Sequence, residues 1–233
     1  MTDRPRPSTT DGRDMPRAQI VVMAKYPVAG AVKTRLAASI GAEAACRLQR
    51  AFVLDLAARL SGVDFPVTWA FWPPDAPFAG LVAPSPCMPQ VEGDLGVRLH
   101  AAMHACVEQR PLPVLAIGID SPHLDLRHLH EAADALGEGV PVVLGPAVDG
   151  GYYLIGLRTP EPSLFMGIPW GTPAVLEATL RRARERALEV RLLPATFDVD
   201  DAGGLSALRR VLDEGTVQLP HTSAALHAFT ACE

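Results

Sequence analysis

The chain has 233 residues, is 48% hydrophobic and carries a formal net charge of −5, which suits one large α/β domain or two small ones with a substantial core. Its first 17 residues are polar, Pro-rich and hold four Arg against three Asp, so the remainder carries 17 basic and 23 acidic residues; that balance argues against a nucleic-acid binder and leaves room only for a local cationic pocket. No apolar run reaches the roughly 18–20 residues of a membrane span, and nothing near the N-terminus resembles a secretory signal.

Residues 1–17 read as a disordered tail and residues 18–233 as a single domain. Residues 18–24 predict a first strand. Residues 42–60 predict a helix, with Leu48, Phe52, Leu56 and Leu60 at four-residue steps. Residues 66–72 form a second strand rich in β-formers, and a Pro-rich connection follows over 73–89. A helix is expected over 95–108, a buried strand over 113–119 and a helix over 126–136. Short strands follow at 141–144 and 152–157. A helix over 172–187 has Thr172 as its expected cap and Pro173 in its first turn. A strand at 189–193 and a helix at 202–212 complete the pattern. The stretch 221–233 reads as a helix that packs on the domain or on a second subunit.

Continuous apolar strands separated by amphipathic helices predict a three-layer α/β/α domain with a mostly parallel sheet. Ligands in such sheets bind beyond the carboxyl ends of the strands. Lys25, Asp120, Asp149, Asp198 and Asp200 all follow strands.

The segment VVMAKYPVAGAVKTRL (residues 21–36) predicts a strand, a tight loop through Gly30 and a helix start. Lys25, Lys33 and Arg35, with Thr34 between the last two, would meet free loop N–H groups there, which are the parts of a phosphate site. A P-loop is excluded by spacing, because Val32 and not Gly precedes Lys33. Asp120, at the end of a buried strand, suits a divalent cation bridging to phosphates or the cap of the next helix. Asp198 and Asp200 share a face if extended and offer a metal two carboxylates; capping of the last helix by Asp200 or Asp201 competes. Asp149, Gly150 and Gly151 form either a loop that lets a backbone approach a ligand or an Asp-Gly hairpin turn. Of Tyr152 and Tyr153, which alternate faces, one would line a pocket. Asp94, between two glycines, contacts a sugar or base, or caps a helix. Trp170 and Thr172 could edge a substrate site.

Other candidates carry less. His100 and His104 fall on a solvated helix face. Cys46, Cys87, Cys106 and Cys232 form no C-x-x-C pair, which argues against zinc-ribbon or thioredoxin chemistry. Reduced thiols and no export signal predict a cytoplasmic protein.

The segments AKYPVAGAVKTRL, EGDLGVRL, IGIDSPHL, LGPAVDGGYYLIGL, WGTPAVLEATL and FDVDDAGGL occur in that order. Together they resemble an uncharacterised bacterial family with the nucleotide-diphospho-sugar transferase (GT-A) fold. Its members are often assigned as glycosyltransferases, including ones of arsenosugar biosynthesis. More distantly the arrangement is similar to phospholactate guanylyltransferases, molybdenum-cofactor nucleotidylyltransferases and sugar-acid cytidylyltransferases. The resemblance implies a nucleotide or nucleotide-sugar across the ends of the first strands. The loop from Lys25 to Arg35 would hold its phosphates. Asp120, with Asp198 or Asp200, would hold Mg²⁺ or Mn²⁺, and a small-molecule acceptor would complete the substrates. The resemblance implies glycosyl transfer from a nucleotide-sugar donor to that acceptor; nucleotidyl transfer from a nucleoside triphosphate with release of diphosphate, and nucleotide binding without turnover, are the alternatives. The Asp-x-Asp pattern of many GT-A glycosyltransferases is here Asp120-Ser121-Pro122, nearer the nucleotidylyltransferase pattern.

Overall fold

The structure, a computed structural model, describes residues 16–230. Most of the stretch read as a tail, and Cys232, lie outside the described residues. Arg17, which that stretch included, pairs with Asp134.

Seven strands form one sheet: β1 (Gln19–Lys25), β2 (Val67–Trp72), β3 (Cys87–Pro89), β4 (Val114–Gly118), β5 (Val142–Pro146), β6 (Tyr152–Leu157) and β7 (Val190–Leu192). Their order is β3-β2-β1-β4-β6-β5-β7. Only β6 runs against its neighbours, pairing antiparallel with both β4 and β5. The helices are α1 (Thr34–Ile40), α2 (Ala42–Leu60), α3 (Ala79–Val82), α4 (Leu95–Gln109), α5 (Arg127–Gly137), α6 (Val175–Glu185), α7 (Ala202–Asp213) and α8 (Pro220–Thr230).

The alternation of β1 explains the layers. Ile20, Val22 and Ala24 face a core built with Val53 and Leu56 of α2 and Leu129, Ala133 and Leu136 of α5. Val21 faces the opposite core, against Leu99, Ala102 and Met103 of α4 and Ala183 of α6. A strand covered on both faces needs apolar residues at every position, which is why QIVVMAK is nearly unbroken. The mostly parallel three-layer architecture expected from the sequence is therefore the one found.

Three details differ from expectation. The Pro-rich connection contains α3 and β3, too short for periodicity to reveal. Helix α6 starts at Val175 after Ala174, which makes no side-chain cap. Thr172 instead closes a turn, donating to the Pro169 carbonyl at 2.8 Å and accepting from Ala174 N at 3.3 Å.

Helix α8 packs on α2 of its own domain. Asp55, 1% exposed, accepts from the backbone N–H groups of His221 (3.0 Å) and Thr222 (2.8 Å). An acid at a helix N-terminus satisfies orphan donors and interacts favourably with the positive end of the helix dipole. Asp55→Ala is expected to cost about 2 kcal/mol, the range for buried donors losing a capping acceptor. The urea midpoint measures the loss, and amide exchange should rise first in α8; an unchanged midpoint would show that α8 is held by its apolar face alone.

Candidate active site

The carboxyl ends of β1, β2 and β4 open into a cleft of about 380 Å³ lined by Lys25, Gln49, Trp72, Gln90, Arg98 and Asp120, among others. One wall is the Arg98 guanidinium laid over the Trp72 ring at 3.9 Å. Arg98 is fixed there by its Nε–H bond to the Gly93 carbonyl, 2.9 Å. The floor is tied by amides. Gln90 donates to Ala70 O (2.8 Å) and Ala24 O (3.3 Å), and Gln49 donates to Lys25 O (3.1 Å). Neither glutamine stands out in the sequence, because one sits in a helix and the other in a Pro-rich loop.

The acids gather through the backbone. Val199 N–H donates to the Asp120 carbonyl at 2.8 Å, while the Val199 side chain is fully buried among Leu36, Leu48, Phe52 and Leu205. That anchor leaves Asp198 and Asp200 on the other side of the extended segment. Asp201 caps α7, accepting from Gly204 N at 2.9 Å, so Asp200 is free of that duty. A Cβ on Gly204 would come 2.3 Å from the Asp198 carbonyl; glycine there lets α7 start against the acidic segment.

Lys33 bridges two of the acids. Its side chain is 1% exposed, and its ammonium donates to Asp120 Oδ1 and, at 3.0 Å, to Asp200 Oδ1. Burial alone would lower the Lys33 pKa, but Asp120 and Asp200 outweigh it and hold the amine above its ordinary value. Arg35 Nη2 donates to Asp200 Oδ2 at 2.9 Å. Burial would raise the Asp200 carboxyl, and Lys33 and Arg35 reverse that and lower it.

Asp198 is held differently. It accepts from Ser121 Oγ at 2.6 Å. Burial, aided by the charges of Asp120, Asp149 and Asp200, pushes its carboxyl up to about 6. Beside it, His123 stacks on Phe197 with ring centroids 3.9 Å apart and bonds Thr196 Oγ1 at 3.1 Å. Burial, with the Arg59 charge, pulls His123 down to about 4.

These two shifts give opposite pH dependences. The folded-state pKa of Asp198 is raised, so the native protein binds more protons between pH 3.8 and about 6, and stability from this group grows as pH falls through that window. His123 is depressed, so its contribution is lost as pH falls from 6.5 to about 4. Asp198→Asn is expected to stabilise the protein at pH 8 by about 1–2 kcal/mol, two pKa units discounted for partial exposure. The gain should vanish near pH 4. Melting scans from pH 4 to 8 check this; a variant less stable than wild type at pH 8 would make the Asp198 charge an asset.

Several expected site residues lie elsewhere in role or place. Lys25 points back, donating to the Ala31 carbonyl at 2.6 Å, and so closes the loop around Gly30 (φ 77°). The three cations of that loop are thus all engaged within the chain. Thr34 opens α1 and is exposed. Asp94 is a helix cap, accepting from Val97 N at 2.9 Å. Asp149 closes the β5–β6 turn by accepting from Gly151 N at 2.9 Å. The space at Gly150 is taken by the chain itself: a Cβ there would lie 2.1 Å from the Pro173 carbonyl.

Neither tyrosine lines the cleft. Tyr152 packs edge-on to Trp170, ring centroids 6.3 Å apart, and burial pushes its phenol up. Tyr153 bonds His128 Nδ1 (2.8 Å) and the Pro194 carbonyl (3.1 Å) in the core. Trp170 rests against Gly96 of α4, where a Cβ would come 2.9 Å from its indole nitrogen. Tyr152 and Trp170 therefore build a wall behind the sheet, because Gly96 leaves a gap on α4 that the indole fills.

Residues 53–172 match a bacterial protein family described as uncharacterized, DUF2064. The chain belongs to this family. The DUF2064 chain is 32% identical to a provisionally named nucleotide-diphospho-sugar transferase from Desulfovibrio desulfuricans G20. The match covers 93% of this chain and 96% of that one, with a TM-score of 0.85. Below 25% identity the likeness is one of fold. A cytidylyltransferase from Leptospira borgpetersenii superposes with a TM-score of 0.54 at 12% identity, over 93% of this chain and 95% of that one. A CMP:2-keto-3-deoxy-manno-octonic acid synthetase complexed with CTP gives 0.52 at 14%, over 85% and 99%. No curated protein matches the sequence. DUF2064 thus shares the nucleotide-diphospho-sugar transferase fold, as its motifs imply.

Proposed function

We propose that this DUF2064 protein is a metal-assisted transferase that binds a nucleotide in the cleft at the ends of β1, β2 and β4. The observation that carries this reading is that Asp120, which lines that cleft, meets Asp200 on the ammonium of Lys33. Acids from distant parts of the chain, brought together at strand ends, have no evident structural use beyond that pairing.

The donor set fits a divalent cation. Hard carboxylate oxygens suit Mg²⁺ or Mn²⁺, and Mg²⁺ commonly takes only one or two carboxylates, with phosphate oxygens and water completing its shell. Asp120 and Asp200 would hold the ion, and Asp198, tied to Ser121, would position Asp120's neighbour segment. The bound ion would neutralise charge on a departing phosphate group.

Nucleotidyl transfer is the reaction the acids favour. An acceptor oxygen attacks the α-phosphorus of a nucleoside triphosphate, the bond from α-phosphorus to the bridging oxygen breaks, and diphosphate leaves with the electron pair. Lys33 and Arg35, now held on the acids, would supply cations to the growing charge. The Trp72–Arg98 wall offers a face for a base to stack on. Glycosyl transfer is the second reading, favoured by the name given to the relative at 32% identity. There an acceptor hydroxyl attacks the sugar anomeric carbon and a nucleoside diphosphate departs.

A thermal-shift panel with Mg²⁺ or Mn²⁺ separates the readings, since a ligand that binds only the native state raises the melting temperature. Stabilisation by one nucleoside triphosphate is expected. Stabilisation by a nucleotide-sugar alone would select glycosyl transfer, and no shift from either would set the nucleotide reading aside.

A further inference from the structure

Lys33 is not a free phosphate ligand in this structure. Its ammonium is spent on Asp120 and Asp200, with the Phe52 ring 5.2 Å from Nζ and almost none of the side chain exposed. The backbone of Lys33 is left-handed, φ 49° and ψ 43°, a conformation that non-glycine residues adopt rarely and at a cost. Arg35 takes the second oxygen of Asp200. A pair of positive side chains therefore balances the pair of acids, and Asp200 has both oxygens engaged.

We infer that Lys33 is a built-in stand-in cation: it occupies the place between Asp120 and Asp200, so a divalent ion binds well only once Lys33 has been drawn off by a polyphosphate. This rests on the nucleotide reading above. The physical argument is one of competition. A divalent ion arriving alone must displace an ammonium held by two charge-assisted hydrogen bonds in a sheltered site, leaving that ammonium buried without a partner. A polyphosphate arriving with the ion gives Lys33 a new anionic partner and frees Oδ1 of both carboxylates at once, while Arg35 keeps the other oxygen of Asp200. Ion and polyphosphate then favour each other's binding, and the coupling is reciprocal. Removing the ammonium should remove the barrier and open the acids to the ion alone.

The test is Mn²⁺ binding to the full chain, followed by the electron paramagnetic resonance of free Mn²⁺, with no nucleotide present. Lys33→Met, which keeps an unbranched apolar stem beside Phe52, is expected to bind Mn²⁺ about 10- to 100-fold more tightly than wild type, the usual span of such couplings. Lys33→Met combined with Asp120→Asn should lose that gain. Equal affinity in wild type and Lys33→Met, or no Mn²⁺ binding to either, would overturn the inference. Wild type supplies an arm that needs no variant to fold. Mg²⁺ alone and inorganic diphosphate alone should leave its melting temperature unchanged, and the two together should raise it. Saturating stabilisation by Mg²⁺ alone would overturn the inference. If Lys33→Met gains Mn²⁺ affinity while no phosphate compound stabilises wild type, the stand-in role stands and the nucleotide reading falls.

Discussion

Asp120→Asn is expected to lower turnover by at least about 10²-fold, the scale for losing a carboxylate that organises charge at a reacting phosphate, while the protein stays folded. The asparagine oxygen can still accept from Lys33, and the Asp120 side chain is 45% exposed, so little burial energy is at stake. What is lost is the negative charge. Release of diphosphate from nucleoside triphosphates, or of nucleoside diphosphate from nucleotide-sugars, reads the activity, and circular dichroism melting reads the fold. Asp94→Asn is the matched control: asparagine caps helices as well as aspartate does, so activity should stay within a few-fold. Full turnover in Asp120→Asn would remove Asp120 from the chemistry, and equal losses in both variants would point to the strand-end loops as a whole.

The contrast between these aspartates shows what the sequence carried. Asp120 and the 198–200 pair drew notice because each comes after a predicted strand, and a parallel sheet collects such positions along one edge. Which acid caps and which is free was not legible. Asp200 and Asp201 are adjacent, and tertiary bonds separate their roles: Gly204 N donates to Asp201, while Lys33 and Arg35 donate to Asp200. The direction of Lys33 was hidden for a similar reason. A helix start with Lys at its edge looks like an anion site, but the left-handed backbone at Lys33 turns the chain inward onto the acids. Gln49 and Gln90 carry no motif; they matter because a tertiary fold places their amides on strand carbonyls. The antiparallel course of β6 shows only in the Asp-Gly turn that precedes it, since a strand buried on both faces reads the same in either direction.

Gly150 tests the opposite kind of claim, in which a residue with the look of a ligand loop turns out to serve packing. It has φ 91°, and a Cβ would sit 2.1 Å from the Pro173 carbonyl. Its own carbonyl accepts from Leu176 N at 2.9 Å, so the β5–β6 turn and the start of α6 are locked backbone to backbone. Gly150→Ala adds a left-handed penalty of about 1–2 kcal/mol to a collision that no rotamer relieves, because both partners are main chain. A loss of about 3–5 kcal/mol is expected, or a drop of roughly 10 °C in melting temperature for a domain of this size. Gly151→Ala next door meets only the Asp149 side chain, at 3.2 Å and without a positive φ, and should cost less than about 1 kcal/mol. Denaturant melts of the two variants decide the matter together with nucleotide binding. A Gly150→Ala protein of wild-type stability that no longer binds nucleotide would return this glycine to the site. A destabilised protein whose folded fraction still binds fixes it as the joint between the sheet and α6.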